Sequence, residues 1–183
     1  MKNRFLISII FSVMAIGCDK KDSLSKISTP NKTEQKPKSK YLEREKFVTK
    51  YKFEDFPVNK IEEKNPKLKI NTNVSSYTKM YRTMIKQSFE KNETNFAGKY
   101  IIDYWGCGSP CATGIAINGK NGKLIEIPSA SAGYDSPYKF RKDSRLLIIN
   151  PPDSLGYYIS GGVYDPELYY LDTLKSKFIK LED

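Results

Sequence analysis

The chain has 183 residues, 31 Lys and Arg against 21 Asp and Glu, three Cys, 13 Tyr, nine Phe, one Trp and no His. That length suits one domain with a tail. Without an imidazole, Ser-His-Asp and Cys-His nucleophile activation and every His-ligated zinc or copper site are excluded.

Lys2 and Arg4 open a basic region, and the uncharged run Phe5 to Gly17 (FLISIIFSVMAIG) leads into Cys18. A bilayer-spanning helix needs roughly 20 apolar residues, so the run is too short to span and fits the hydrophobic segment of a secretory signal. Ala15-Ile16-Gly17-Cys18 resembles the bacterial lipobox, in which small residues precede a Cys that takes a thioether-linked diacylglycerol and becomes the new N-terminus. Leu is usual three residues before that Cys, and Ala15 departs from it. The resemblance implies a signal peptide over 1–17, lipidation at Cys18, and a place in the bacterial cell envelope, anchored to a membrane and facing the periplasm or the surface. No second spanning run follows.

Residues 18–46 read as the lipidated Cys and a disordered basic tether, too poor in apolar side chains to repay the entropy of ordering. The basic excess is wholly N-terminal: residues 1–97 carry net +10, residues 98–183 are neutral, and ten of the eleven Gly lie from Gly98 onward. Nucleic acid is not an expected partner, because the chain is exported and its basic residues do not interleave with aromatics.

The rest, 47–183, reads as a single globular domain. In 47–73, broken by Pro57 and Pro66, one strand is expected around Tyr51–Phe53. From Val74 to Lys91, Tyr77, Tyr81, Met84, Ile85 and Phe89 fall on one stripe of a helix, with Ser75 or Ser76 as N-cap. Beyond Gly98, seven short strands are expected: Lys99–Trp105, Gly114–Asn118, Lys123–Ile127, Arg145–Ile149, Tyr157–Ser160, Leu168–Asp172 and Phe178–Leu181. Asn118-Gly119 and Asn121-Gly122 supply turns between them. The expected fold class is α+β and mainly β, an antiparallel meander covered by one amphipathic helix and preceded by the tether.

Chemistry, if present, centres on Tyr104-Trp105-Gly106-Cys107-Gly108-Ser109-Pro110-Cys111. In an extended strand Cα atoms four residues apart lie roughly 13 Å apart, against about 4.4–6.8 Å for a disulfide, so the chain must turn between Cys107 and Cys111. Gly108 and Ser109-Pro110 permit the turn. An exported chain with Cys18 lipidated leaves an even Cys pair, and a structural disulfide is the favoured reading. Thiol-redox use of Cys107/Cys111 is disfavoured by three rather than two intervening residues and by the strand-like sequence that follows. Metal and cofactors are not expected.

Asn95-Phe96-Ala97-Gly98-Lys99-Tyr100, then Trp105-Gly106-Cys107-Gly108-x-x-Cys111, then Asp143-Ser144-Arg145-Leu146-Leu147 resemble a family of uncharacterised bacterial exported proteins and lipoproteins, over about residues 76 to 181. At Lys99 that family commonly has His. The resemblance implies a shared fold unit and carries no activity.

In these motifs Asn95 can cap its loop, Phe96 can plug the end of the sheet, and Trp105 beside a disulfide is a common core pair. As a binding surface, Tyr104, Trp105, Gly106, Gly108 and Asn95 are the candidates. Two functional classes follow. One is a non-enzymatic, membrane-anchored envelope lipoprotein whose domain meets a protein, glycan or lipid partner, with inhibition of a host lysozyme as a special case. The other is an envelope hydrolase using two carboxylates drawn from Asp103, Asp135, Asp143 and Asp165, which no spacing brings together.

Overall fold

The computed structural model describes residues 43–131 and 136–182. In chain order these form strand β1 (Arg44–Lys46), a 3-10 turn (Phe53–Asp55), helices α1 (Ser76–Met80) and α2 (Arg82–Lys91), and strands β2 (Tyr100–Gly108), β3 (Cys111–Asn118), β4 (Leu124–Ser131), β5 (Tyr138–Phe140), β6 (Leu146–Ile149), β7 (Tyr157–Ile159), β8 (Glu167–Asp172) and β9 (Lys177–Lys180). The fold is α+β and mainly β, and every strand pair among the described residues is antiparallel. All seven expected strands are present, and β1 and β5 are additional.

The meander is divided between two packed sheets, β2-β3-β4 and β5-β6-β8-β9, with a small β1-β7 pair beside them. The reason lies in β6, whose Leu-Leu-Ile-Ile is buried at every position. A strand apolar on both faces needs cover on both. Leu147 and Ile149 face the inter-sheet core with Phe96, Tyr100, Ile102, Leu171 and Phe178, while Leu146 and Ile148 join Leu168 on the outer face. Phe47, Tyr51, Phe53 and Phe56 cover that outer face. This aromatic strap takes the place of the strand expected at Tyr51–Phe53. Its turn is closed by Lys52 N–H donating to Asp55 Oδ2 at 2.7 Å.

On the other side, Ile101, Trp105, Ile115 and Ile117 meet Ile85 and Phe89 of α2. Alternation along β2 produces this division, since Tyr100 and Ile102 point between the sheets while Ile101 and Trp105 point at the helices. The expected helix is bent at Tyr81 (φ −96°, ψ 19°). Its hydrogen-bond ladder nevertheless runs across the bend, Tyr81 N–H to Tyr77 O and Ile85 N–H to Tyr81 O, each 3.0 Å. Ser75 caps α1 by accepting from Thr78 N–H. Met84, assigned to the buried stripe by spacing, is 41% exposed; the buried positions of α2 are Ile85, Ser88 and Phe89, which put Met84 at the edge of the stripe.

Arg44–Lys46, placed by composition in the tether, pair with Tyr157–Ile159 instead. The charged side chains face solvent, and ordering comes from the backbone ladder, to which composition is blind. Residues 1–42, which include the segment read as a signal and Cys18, lie outside the described residues. No described helix is long and apolar enough to cross a membrane.

Candidate functional site

The β2–β3 hairpin ends in the Cys pair. Gly106 stands opposite Ala112 and Gly108 opposite Cys111, leaving Cys107 as the extra residue of a bulge. Gly108 takes φ +122° and Ser109-Pro110, with a cis peptide bond, makes the turn. The Cα atoms of Cys107 and Cys111 come within 5.1 Å and the disulfide closes.

The other residues expected around this loop do not share one surface. Tyr104 turns inward, its ring 5.2 Å from Tyr138, while its neighbour Trp105 turns to the opposite face, 92% buried and 5.2 Å from Tyr81. Asn95 spends both ends of its amide on one residue: Nδ2 donates to Ile102 O at 2.9 Å, and Oδ1 accepts from Ile102 N–H at 2.7 Å. Of the five candidate binding residues Gly106 and Gly108 are exposed, with Ser109 and Pro110 beside them at the hairpin tip.

The described carboxylates of the hydrolase reading are separated and occupied. Asp103 Oδ2 accepts from Ser88 Oγ at 2.6 Å and Asn92 Nδ2 at 3.1 Å, pinning β2 to α2. Asp143 is held by Arg141, whose guanidinium lowers its pKa. Asp165 accepts from the N–H groups of Gly161 and Gly162. Asp135 lies outside the described residues. No cluster of three or more Cys, Asp or Glu among the described residues is placed to hold a metal.

Concavities lie elsewhere. A cleft of about 470 Å³ runs between α2 and the segment around Leu68 and Ile70. One of about 390 Å³ lies between Pro110-Cys111 and the Val163–Glu167 stretch. A third, of about 350 Å³, is polar and carries Lys60, Lys99 and Arg145 on three different segments.

Backbone hydrogen bonds stitch the third cleft together. Glu62 N–H reaches Gly98 O at 2.7 Å, Gly98 N–H reaches Lys142 O at 2.8 Å, Val58 N–H reaches Asp143 O at 3.2 Å, and Arg145 N–H reaches Phe56 O at 2.8 Å. Gly98 is required there: φ is +75°, and a Cβ would stand 2.3 Å from Lys60 O. Ser144 Oγ, fully buried, donates to Phe53 O at 2.7 Å. The Asn-Phe-Ala-Gly-Lys-Tyr turn and the Asp-Ser-Arg segment thus meet at one wall. Each was visible in the sequence, but their meeting depends on the packing of two sheets, which no local spacing encodes.

The acidic groups near this cleft have partners of their own. Glu62 is 3.8 Å from Lys120. The Asp172 carboxylate accepts from Leu174 and Lys175 N–H and stands 3.8 Å from Lys175 Nζ. Lys60 and Lys99 make no side-chain hydrogen bond or ion pair among the described residues, and Arg145 has one long contact, Nη1 to Leu171 O at 3.5 Å.

No family model, curated protein or solved structure matches the chain. The family resemblance rests on the quoted motifs.

Proposed function

We propose that the chain is an exported, lipid-anchored envelope protein whose folded part is a binding domain and not an enzyme. The observation that carries the anchoring is Cys18, standing where the uncharged run from Phe5 to Gly17 stops, after Ala15-Ile16-Gly17. Two fatty chains supply ample membrane affinity, and the basic residues after Cys18 add attraction to anionic headgroups. The non-catalytic reading is supported by the structural engagement of Asp103, Asp143 and Asp165 and by the tying of Cys107 to Cys111. The domain is held at the membrane to meet an envelope protein, glycan or lipid.

Intact-mass measurement on the membrane fraction tests the anchor. The expected species begins at Cys18 and carries the mass of its acyl chains, and a Cys18→Ala chain leaves the membrane fraction. A Cys18→Ala chain that stays with membranes and shows no acyl mass difference from the parent overturns the anchor.

A further inference from the structure

We propose that the cleft between the 57–62 segment, the Ala97–Lys99 turn and Arg145 binds a phosphate-bearing ligand; this rests on the reading of the folded part as a binding domain and names its ligand class. The cleft presents three cationic side chains from three segments; Glu62, drawn toward Lys120, is the carboxylate in its lining, and Asp172, paired with Lys175, stands close enough to act on Arg145. Some surface cations, Arg44, Arg141 and Lys180 among them, stand against carboxylates and others do not; what sets this cleft apart is that three segments bring their cations to one concavity. Here the ammonium groups of Lys60 and Lys99 have no side-chain partner among the described residues, and the Arg145 guanidinium has the long contact to Leu171 O and the field of Asp172 but no ion pair.

Gathering like charges is unfavourable, and the fixed backbone prevents Lys60, Lys99 and Arg145 from escaping one another by moving their segments apart. A ligand carrying two negative charges offsets that repulsion better than a monocarboxylate. The planar fork of Arg145 suits two phosphate oxygens, and the lysines act as point charges. Asn59 and Thr173 add neutral hydrogen-bonding groups at the wall. A volume of about 350 Å³ exceeds a lone oxyanion and leaves room for a small polyol attached to it. The chemistry is therefore that of a phosphomonoester on a glycerol- or sugar-sized group, whether soluble or displayed by a lipid headgroup.

The test is calorimetric titration of the full-length chain, held in phosphatidylcholine nanodiscs, with inorganic phosphate, glycerol 3-phosphate and acetate at matched ionic strength. Saturable binding of both phosphates with a dissociation constant on the order of 1 mM is expected, with glycerol 3-phosphate the tighter and acetate not saturating. Lys60→Gln and Lys99→Gln should each weaken binding roughly tenfold. Lys86→Gln, on the α2 cleft, should leave it unchanged. Lys60 is exposed, so its variant tests the site without disturbing the core. Binding that survives both cleft substitutions, or heats that follow ionic strength alone, overturns the proposal. Competition by vesicles containing phosphatidic acid identifies a lipid source, and glycerol 3-phosphate binding without such competition identifies a soluble one.

Failure of the underlying reading shows separately. A Cys18→Ala chain that binds phosphate normally separates the cleft from the anchor. Hydrolysis of the added glycerol 3-phosphate would end the non-enzymatic reading while leaving the cleft assignment in place.

Discussion

Asn95 extends the β2 ladder with its side chain. Its amide supplies a donor and an acceptor to Ile102, a rung that no backbone provides at that edge. Asn95→Ala leaves the Ile102 N–H and C=O without partners, and a loss of about 1–3 kcal/mol is expected in urea unfolding. Asn95→Asp keeps the acceptor and forfeits the donor, and should fall between the two. An Asn95→Ala protein as stable as the parent would show that water serves Ile102 equally well. The sequence suggested that Asn95 caps its own loop, and the residue does close the Phe96–Tyr100 turn, although the bonds go to the strand beyond it. Phe96, read as a plug, is fully buried and stacks on Phe178 at 5.9 Å. Trp105 was legible as a core side chain beside the disulfide; which core it entered was not, because that depends on strand parity.

At the scale of elements, the disulfide secures a hairpin tip. A five-residue loop yields only roughly 2 kcal/mol in the chain-entropy model. The base of the hairpin is fixed independently, by Asn95 and by the Gly119 N–H bond to Lys99 O at 2.8 Å. A double Cys107→Ser, Cys111→Ser variant is therefore expected to stay folded and melt several degrees lower. Its loss of amide protection should concentrate at Trp105 to Gly108 and spare Tyr100 to Ile102. Uniform loss along β2 would mean that the hairpin closes from its tip. A free, low-pKa thiol in the native protein would instead mark a reactive cysteine.

Helix α2 ends on a different device. Lys64, its side chain only 10% exposed, donates from Nζ to Phe89 O, Glu90 O and Asn92 O and lies 3.2 Å from Glu93. These are the terminal carbonyls that a helix leaves unpaired, at its negative end. Lys64→Met keeps the apolar stem and removes the charge, so about 1–2 kcal/mol should be lost, with helical circular dichroism falling first on heating. No loss would show that solvent caps the carbonyls as well. Lys64 lay in a Pro-broken segment with no periodic pattern, and capping from outside the helix leaves no local sequence mark. The strands were legible because turn residues bound each one. Strand β5 has a charged Lys139 between Tyr138 and Phe140 and so showed no apolar run, whereas the equally short β7 reads Tyr-Tyr-Ile.

For the whole molecule, the legible part was the class: antiparallel, mainly β, with one helical cover. The split into two sheets and the aromatic strap over the second were not, since Leu146–Ile149 reads equally as the buried centre of one sheet or of a sandwich. The packing has a pH signature. Burial pushes the Tyr77 hydroxyl up to about 12, and it does the same for Tyr169, aided by the bond from its hydroxyl to Glu167; burial raises Tyr138 as well. Unfolded tyrosines ionise near pH 10, so these raised values favour the folded state fully below that pH. The contribution is lost as pH rises from about 10 through the folded values. Melting temperature should hold steady to about pH 9.5 and then fall steeply, less so in Tyr77→Phe. A curve unchanged to about pH 11.5 would mean that the buried hydroxyls reach water when folded.

The short β1 strand gains a mechanical meaning if the chain is tethered at Cys18. Tension arriving from the N-terminal side would load first the three facing pairs from Arg44–Ile159 to Lys46–Tyr157, with the Phe47 N–H bond to Gly156 O just behind them. Those rungs are exposed and few, so they should yield at low force and pass the load to Phe47, Tyr51, Phe53 and Phe56. Peeling that strap would bare Leu146, Ile148 and Leu168 while the disulfide-tipped sheet on the far side stays intact. Force spectroscopy pulling between the N-terminus and residue 182 should then record an early, small extension ahead of the main rupture, and β1 would act as a fuse between the anchor and the core.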